Sequence, residues 1–253
     1  MNYGMYIAAS GVQTAMARQD LISNNLANVN TVGFKPDVFM VRQRAPARIE
    51  DGLGLIESDR LLERLGAGVM PLPTGIDLDA AALEKTGNPL DVGIEGEGFL
   101  TVRAGSEIKL TRDGRLTMRA DGRLVNAASG ASVLDESGAP VVLNPTLPVR
   151  IDADGGVVQG DAQVAKLQLV TVTQPSRLIK NGDNLLGVRE GDSFDRRPAS
   201  GNLVQGFVEG SGVDAIRAMI AVTSASQAAQ SGLSTIATIN ELMTRAISLG
   251  RVS

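Results

Sequence analysis

Asp91 and Glu95 stand four residues apart and are the kind of carboxylate pair that general acid–base hydrolysis uses. Asp152 and Asp154, followed by Gly155, imitate the first positions of a calcium loop. Gly93, Gly96 and Gly98 hint at a phosphate-cradling turn, and Arg42, Arg44 and Arg48 form a small basic cluster, RQRAPAR. None of these carries its chemistry through. With 28 acidic residues in the chain, carboxylate pairs arise everywhere, and sequence alone gives no separation between them. The calcium pattern fails because Val157 and Gln159 follow where ligands belong and no glutamate closes the loop, so a turn is the better reading. The glycine spacing does not match a dinucleotide fingerprint, and G-x-x-x-x-G-K-[ST] is absent. The arginines fit a phosphate-binding loop or a solvated or intersubunit salt-bridging loop, with the second favoured.

The composition removes more chemistry. Histidine and cysteine are both at zero, which excludes a histidine base, a cysteine nucleophile, a disulfide frame and any cysteine-based metal site. No catalytic residue, cofactor site or metal site is assigned, and the chain is read as a non-enzyme. The 24 basic against 28 acidic residues give a net charge of −4, without the basic surface that a nucleic-acid binder needs. No apolar run approaches the ~20 residues of a membrane span, so the protein is read as not membrane-inserted. The N-terminus lacks the charged and apolar regions of a cleavable signal. Aromatics make up 3%, so the core is built from Ala, Val, Leu and Ile.

The elements left to explain are two terminal helices and a β-rich middle. Ala8, Val12, Ala15, Gln19, Ile22, Leu26 and Val29 alternate at four-three spacing, the seam of a helix that packs on another helix. Asn24, Asn25 and Asn28 occupy that helix where better helix formers would serve. Gly33 permits a positive φ and Pro36 forces the chain to extend. At the other end Ala215, Met219, Val222, Ser226, Ala229, Leu233, Ile236, Asn240, Met243 and Ile247 repeat the same spacing, with Ser211 as the expected N-cap. Ala221 to Gln230 carries no charge, which points to a helix face buried between subunits. Between the helices, alternating segments from Leu90 onward are punctuated by Asp113-Gly114, Asp121-Gly122, Asp154-Gly155 and Asn181-Gly182, the signal of type I′ hairpins. Leu167 and Leu169 lie on one face and Val170 and Val172 on the other, which predicts a bulge or a strand buried on both sides.

Three stretches carry a family resemblance. LISNNLANVNTVGFKP (Leu21 to Pro36) resembles the N-terminal signature of the flagellar axial proteins, most closely the rod proteins. GNPLDVGIEGEGFLTV followed by LTRDGRLTMRADGRLV resembles their central motif, with Gly96 and Gly98 kinking the backbone so that Phe99 turns inward. Gly206 to Asp214 resembles their strand-to-helix junction, with Gly212 where asparagine is usual. Ser224-Ala225-Ser226-Gln227 replaces the Arg-Ala-Tyr-Glu-like string that the family usually carries.

The expected architecture is α+β, with long N- and C-terminal helices forming a coiled-coil-like rod domain around a central all-β domain of the hook/rod type. Its boundaries are residues 1–35 for the N-terminal helix, 36–86 for a connecting segment, 87–205 for the β domain and 206–253 for the C-terminal helix. Proteolysis is expected to leave a resistant core near residues 35 to 205. The expected subunit-interface and seam residues are Ala8, Val12, Ala15, Ile22, Asn24, Asn25, Leu26, Asn28, Val29, Met219, Val222, Ala229, Leu233, Ile236, Met243 and Ile247. The expected structural turns use Gly33, Gly96, Gly98, Gly114 and Gly122. The resemblance implies a self-assembling, torque-transmitting subunit of the periplasm-spanning basal-body rod that encloses the export channel and is exported without a cleaved signal. Its implied partners are other copies of itself, other rod and hook proteins and the flagellar type III export apparatus, with no cofactor. The proximal rod type is favoured over the distal. An exported β domain that binds a surface ligand, and a carboxylate-dependent hydrolase, are the rivals from other classes.

Overall fold

In the first of two compact units, a helix over Tyr3–Ala27 and a helix over Ala215–Gly250 pack antiparallel. The computed structural model describes residues 3–46, 49, 66, 68–188 and 195–250. The first unit holds Met1–Ala27, Asp37–Gly75 and Asp214–Ser253; the second holds Asn28–Pro36 and Ile76–Val213. Much of the connecting segment expected over residues 36–86, and Arg48 of the basic cluster, lie outside the described residues.

The helix pair is held by small residues. Gly4 lies against Ile239 and Gly232 against Val12, where an added Cβ would come within 2.5 Å of the valine side chain. On the N-terminal helix the expected seam, from Ala8 through Leu26, is buried or half-buried throughout. On the C-terminal helix a covered stripe runs through Ala218, Val222, Ala225, Ala229, Gly232, Ile236, Ile239 and Met243, again at four-three spacing, with Ala215, Ala221 and Ser226 half-buried at its flanks. Of the expected seam, Ala215, Val222, Ser226, Ala229, Ile236 and Met243 are covered, whereas Met219, Leu233, Asn240 and Ile247 are exposed. Ala218 and Gly232 are smaller than the exposed Met219 and Leu233 beside them, and with Ala225 they let the two backbones approach. The helix also starts later than expected. Asp214 caps it, accepting from the Arg217 amide at 3.0 Å, while Ser211 serves elsewhere.

A two-stranded ribbon, Val41–Gln43 against Val69–Pro71, completes the described part of this unit. Such a ribbon is marginal alone. It is fastened to the N-terminal helix through Ser10, whose hydroxyl accepts from the Val69 amide at 3.3 Å. Asn25 makes a second fastening: its carboxamide donates to the Asp37 carbonyl (2.9 Å) and accepts from the Asp37 amide (3.0 Å). A side chain here completes what a strand partner would supply, which is why asparagine rather than a stronger helix former occupies this buried position.

The second unit is antiparallel β throughout its described pairings. Strand Phe99–Ala104 is its hub, pairing with Glu107–Thr111 on one edge and with Ser132–Val133 and Leu169–Val172 on the other. Val92, Leu100, Val102, Leu124, Val133, Val157 and Leu167 form the main core, and Phe99, Leu110, Val170, Leu178 and Leu186 a second cluster. Leu167 and Leu169 face the first, Val170 and Val172 the second, so this strand is buried on both sides.

The glycine turns differ from the type I′ expectation. At Asp121-Gly122 and Asp154-Gly155 only the glycine has positive φ, at 79° and 93°. Each closes a longer loop, with Gly122 N–H donating to the Arg119 carbonyl and Gly155 N–H to that of Asp152. The primed conformation occurs two residues further on than Asn181-Gly182, at Asp183 and Asn184, with φ of 48° and 55°. Gly114 is no hairpin turn. Its backbone lies so close to the Val92 carbonyl that no Cβ fits.

Candidate functional site

Among the described residues, no group of histidine, cysteine, aspartate and glutamate is arranged to hold a metal ion. The candidate acids are engaged otherwise. Asp91 is buried and accepts from the Asn88 carboxamide at 2.9 Å, while Glu95 is exposed. Asp154 accepts from the Gly156 amide at 3.2 Å, and Asp152 pairs with Arg150 at 3.3 Å.

The concentrated polar site lies in the second unit. Lys35, Arg112 and Glu209 are 3%, 3% and 1% exposed, a degree of burial that charged side chains reach only when paired. Glu209 Oε1 accepts from Lys35 Nζ and from the Ala81 amide, each at 2.7 Å. Its Oε2 accepts from Arg112 Nη1 at 3.0 Å. Lys35 Nζ donates also to the Asp79 carbonyl (2.6 Å) and Arg112 Nη2 to the Gly96 carbonyl (2.9 Å). The Arg112 guanidinium stands 5.2 Å from the Phe99 ring centre. Burial, first, and the nearby Arg112 charge hold the Lys35 ammonium below the ordinary lysine value, against the opposing pull of Glu209.

Local backbone puts these side chains in place. Gly33, at φ 68°, sits so close to the Arg112–Asp113 backbone that a Cβ would fall 2.6 Å from it. Its amide donates to the Glu209 carbonyl (2.8 Å), and Gly212 donates to that of Phe34 (3.0 Å). Ser211, the expected cap, donates its hydroxyl to the Asn28 carbonyl at 2.9 Å instead. The segment 28–36 is thus laced to residues 209–212, and each of the three motifs contributes one charge to the cluster.

Of the expected residues, the structure brings Ala8, Val12, Ala15, Ile22, Leu26, Val222, Ala229, Ile236 and Met243 into the covered helix seam. Met219, Leu233 and Ile247 face outward at 57%, 49% and 64% exposure. Asn24 is exposed, Asn28 and Val29 are half-buried. Gly96, Gly98 and Gly122 take positive φ, as does Gly33. Sequence reasoning passed over Lys35, Arg112 and Glu209. Lys35 and Glu209 carried a signal, a lone charge in Gly33-Phe34-Lys35-Pro36 and in Phe207-Val208-Glu209-Gly210, whereas Arg112 is one of several charges in its motif and carried none.

Three regions match described families: residues 5–35 "Flagella basal body rod protein", 93–165 "Flagellar hook protein FlgE/F/G D1 domain", and 204–249 "Flagellar basal body rod FlgEFG protein C-terminal". The chain is 32% identical over 220 residues to the flagellar basal-body rod protein FlgF of Caulobacter vibrioides, covering 85% of this chain and 84% of that protein. The chain belongs to the flagellar basal-body rod protein family. FlgG of Bacillus subtilis is 28% identical over 260 residues, spanning 98% of both chains. The flagellar hook protein FlgE of Treponema pallidum is 33% identical over 120 residues, covering 45% of this chain and 25% of that protein. The buried charge cluster therefore belongs to a structural rod protein, and each of its members lies in or beside a matched family region. Among the described residues no helix is long and apolar enough to cross a membrane.

Proposed function

We propose that this rod protein self-assembles through its terminal helices into the proximal part of the flagellar drive shaft. In this reading the helices form a coiled-coil-like inner tube around the export channel, and the chain passes through the flagellar type III apparatus. The observation that carries it is the outward face of the C-terminal helix. Ile216, Met219, Ile220, Leu233, Leu242 and Ile247 are all at least 49% exposed in the single chain. A helix that already buries one stripe yet keeps apolar side chains outside it has a second surface for other copies or for neighbouring rod and hook proteins.

The FlgF-like, proximal placement is favoured by the start Met5 to Gly11 and by Val38-Phe39-Met40-Val41, which stands where distal rod proteins resemble one another in an aromatic stretch. The FlgG-like, distal placement is favoured by the end-to-end span of the Bacillus relative. Cryo-electron microscopy of hook–basal bodies from the source bacterium tests both. Density for this chain in the proximal rod is expected; density beneath the hook reverses the placement, and absence from the axis overturns the assembly reading.

A further inference from the structure

The buried cluster is not balanced in charge. Two cations, Lys35 and Arg112, share one carboxylate, Glu209. Arg112 is also incompletely used: Nη1 and Nη2 each have an acceptor, but its Nε is buried without one among the described residues. A buried guanidinium N–H left unmatched is costly, more so than a neutral one. Asp77 also acts on Lys35, but more weakly than any other group that does.

Lys35 and Arg112 together line a cavity of about 180 Å³. Phe34 and the turn from Gly182 to Leu186 form its other walls, with Lys180 at its side, 4.1 Å above the Phe34 ring centre. The Asn184 carboxamide fixes that turn by donating to the Val32 carbonyl at 2.9 Å. A second cavity also borders Arg112, but Asp79 and Glu97 line it, so it repels anions.

We infer that the smaller cavity is a binding site for a small oxyanion, either free phosphate or sulfate or a protein carboxylate. The ligand brings the missing negative charge to the wall that Lys35 and Arg112 share; guanidinium groups bind such oxygens with charge-assisted hydrogen bonds. Asp183, on the cavity wall, opposes the ligand and sets the affinity. The depressed ammonium of Lys35 is consistent with this, because a second anion restores its charged form.

The test is thermal unfolding and titration calorimetry of the full chain in inorganic phosphate, against chloride at matched ionic strength. Lys180→Met and Asp183→Asn are the variants, since both residues lie on the cavity wall and neither belongs to the Lys35–Arg112–Glu209 cluster. Phosphate is expected to raise Tm saturably; Asp183→Asn should tighten binding about three- to fivefold and Lys180→Met weaken it by about as much. Acetate acting like phosphate assigns the site to carboxylates, among them those of a neighbouring copy if the assembly reading holds. Phosphate or sulfate acting alone assigns it to free tetrahedral anions. No phosphate-specific effect in either the native chain or Asp183→Asn, or an effect that neither variant changes, overturns the inference.

Discussion

Glu209 accepts from Lys35, from Arg112 and from the Ala81 amide at once, so removing its charge strands two buried cations together. Removing Lys35 leaves Glu209 its Arg112 pair and relieves the repulsion between the cations. Breaking a buried ion pair from one side costs about 3–5 kcal/mol, whereas an apolar replacement that lowers an uncompensated charge is often neutral. Glu209→Gln is therefore expected to lose about 3–5 kcal/mol in urea unfolding, and Lys35→Met much less. The pH dependence separates the two. Because the folded-state value of Lys35 lies below the ordinary lysine value of 10.5, the unfolded chain holds more protons between those two values. Stability from this group consequently rises as pH climbs through that alkaline window, and Lys35→Met should abolish the rise. Equal losses in the two variants, or a slope unchanged by Lys35→Met, would show that Glu209 is not the hub.

At the scale of elements, the segment 28–36 is where reading the chain and seeing it folded diverge most. Its end of the helix and its turn were legible, because Gly33 and Pro36 act locally. Its membership was not: Gly33, Phe34 and Lys35 are buried by residues 44 to 178 positions away in the chain, and no local pattern reports such contacts. The same limit explains Gly114, a glycine demanded by the Val92 carbonyl and not by a turn. It also explains the C-terminal seam. Heptad spacing holds equally for the covered stripe and for the one beside it, and only the partner helix selects the stripe of alanines and Gly232. The β-rich middle and the two helices were legible because alternation and four-three spacing are set by the chain itself. A consequence is testable by limited proteolysis of the full chain with mass spectrometry of the fragments. The resistant core should begin before Asn28 and extend past Gly212, since residues 28–36 and 209–212 hold each other by backbone bonds. A core that begins at 35 and stops at 205 would mean that this lacing is dispensable.

Across the whole molecule, the C-terminal helix presents two apolar stripes and satisfies only one within the chain. Met219, Leu233 and Ile247 recur at intervals of fourteen residues, four heptads in all, and at a drift of about 20° per heptad they stay on one side of the helix. Scattered exposed apolar residues are ordinary on a soluble protein, but aligned ones on a helix of 36 residues are the pattern of a surface that meets another helix. The covered and exposed stripes allow folding and assembly to be separated by position. Met219→Asp with Leu233→Asp changes only side chains about half or more exposed, and should leave the unfolding free energy within about 0.5 kcal/mol of the native chain per site. Ile236→Asp puts a charge into the covered seam and should destabilise the helix pair itself by several kcal/mol, as an unpaired buried charge does. Expressed in a strain that lacks the native gene, the double variant should fold, be made at normal levels and fail to restore swimming, because the lost contacts lie between copies. Ile236→Asp should fail earlier, as an unstable chain. Full motility with the double variant would remove the outer stripe from the assembly interface and leave the N-terminal helix as the remaining surface on which copies could meet.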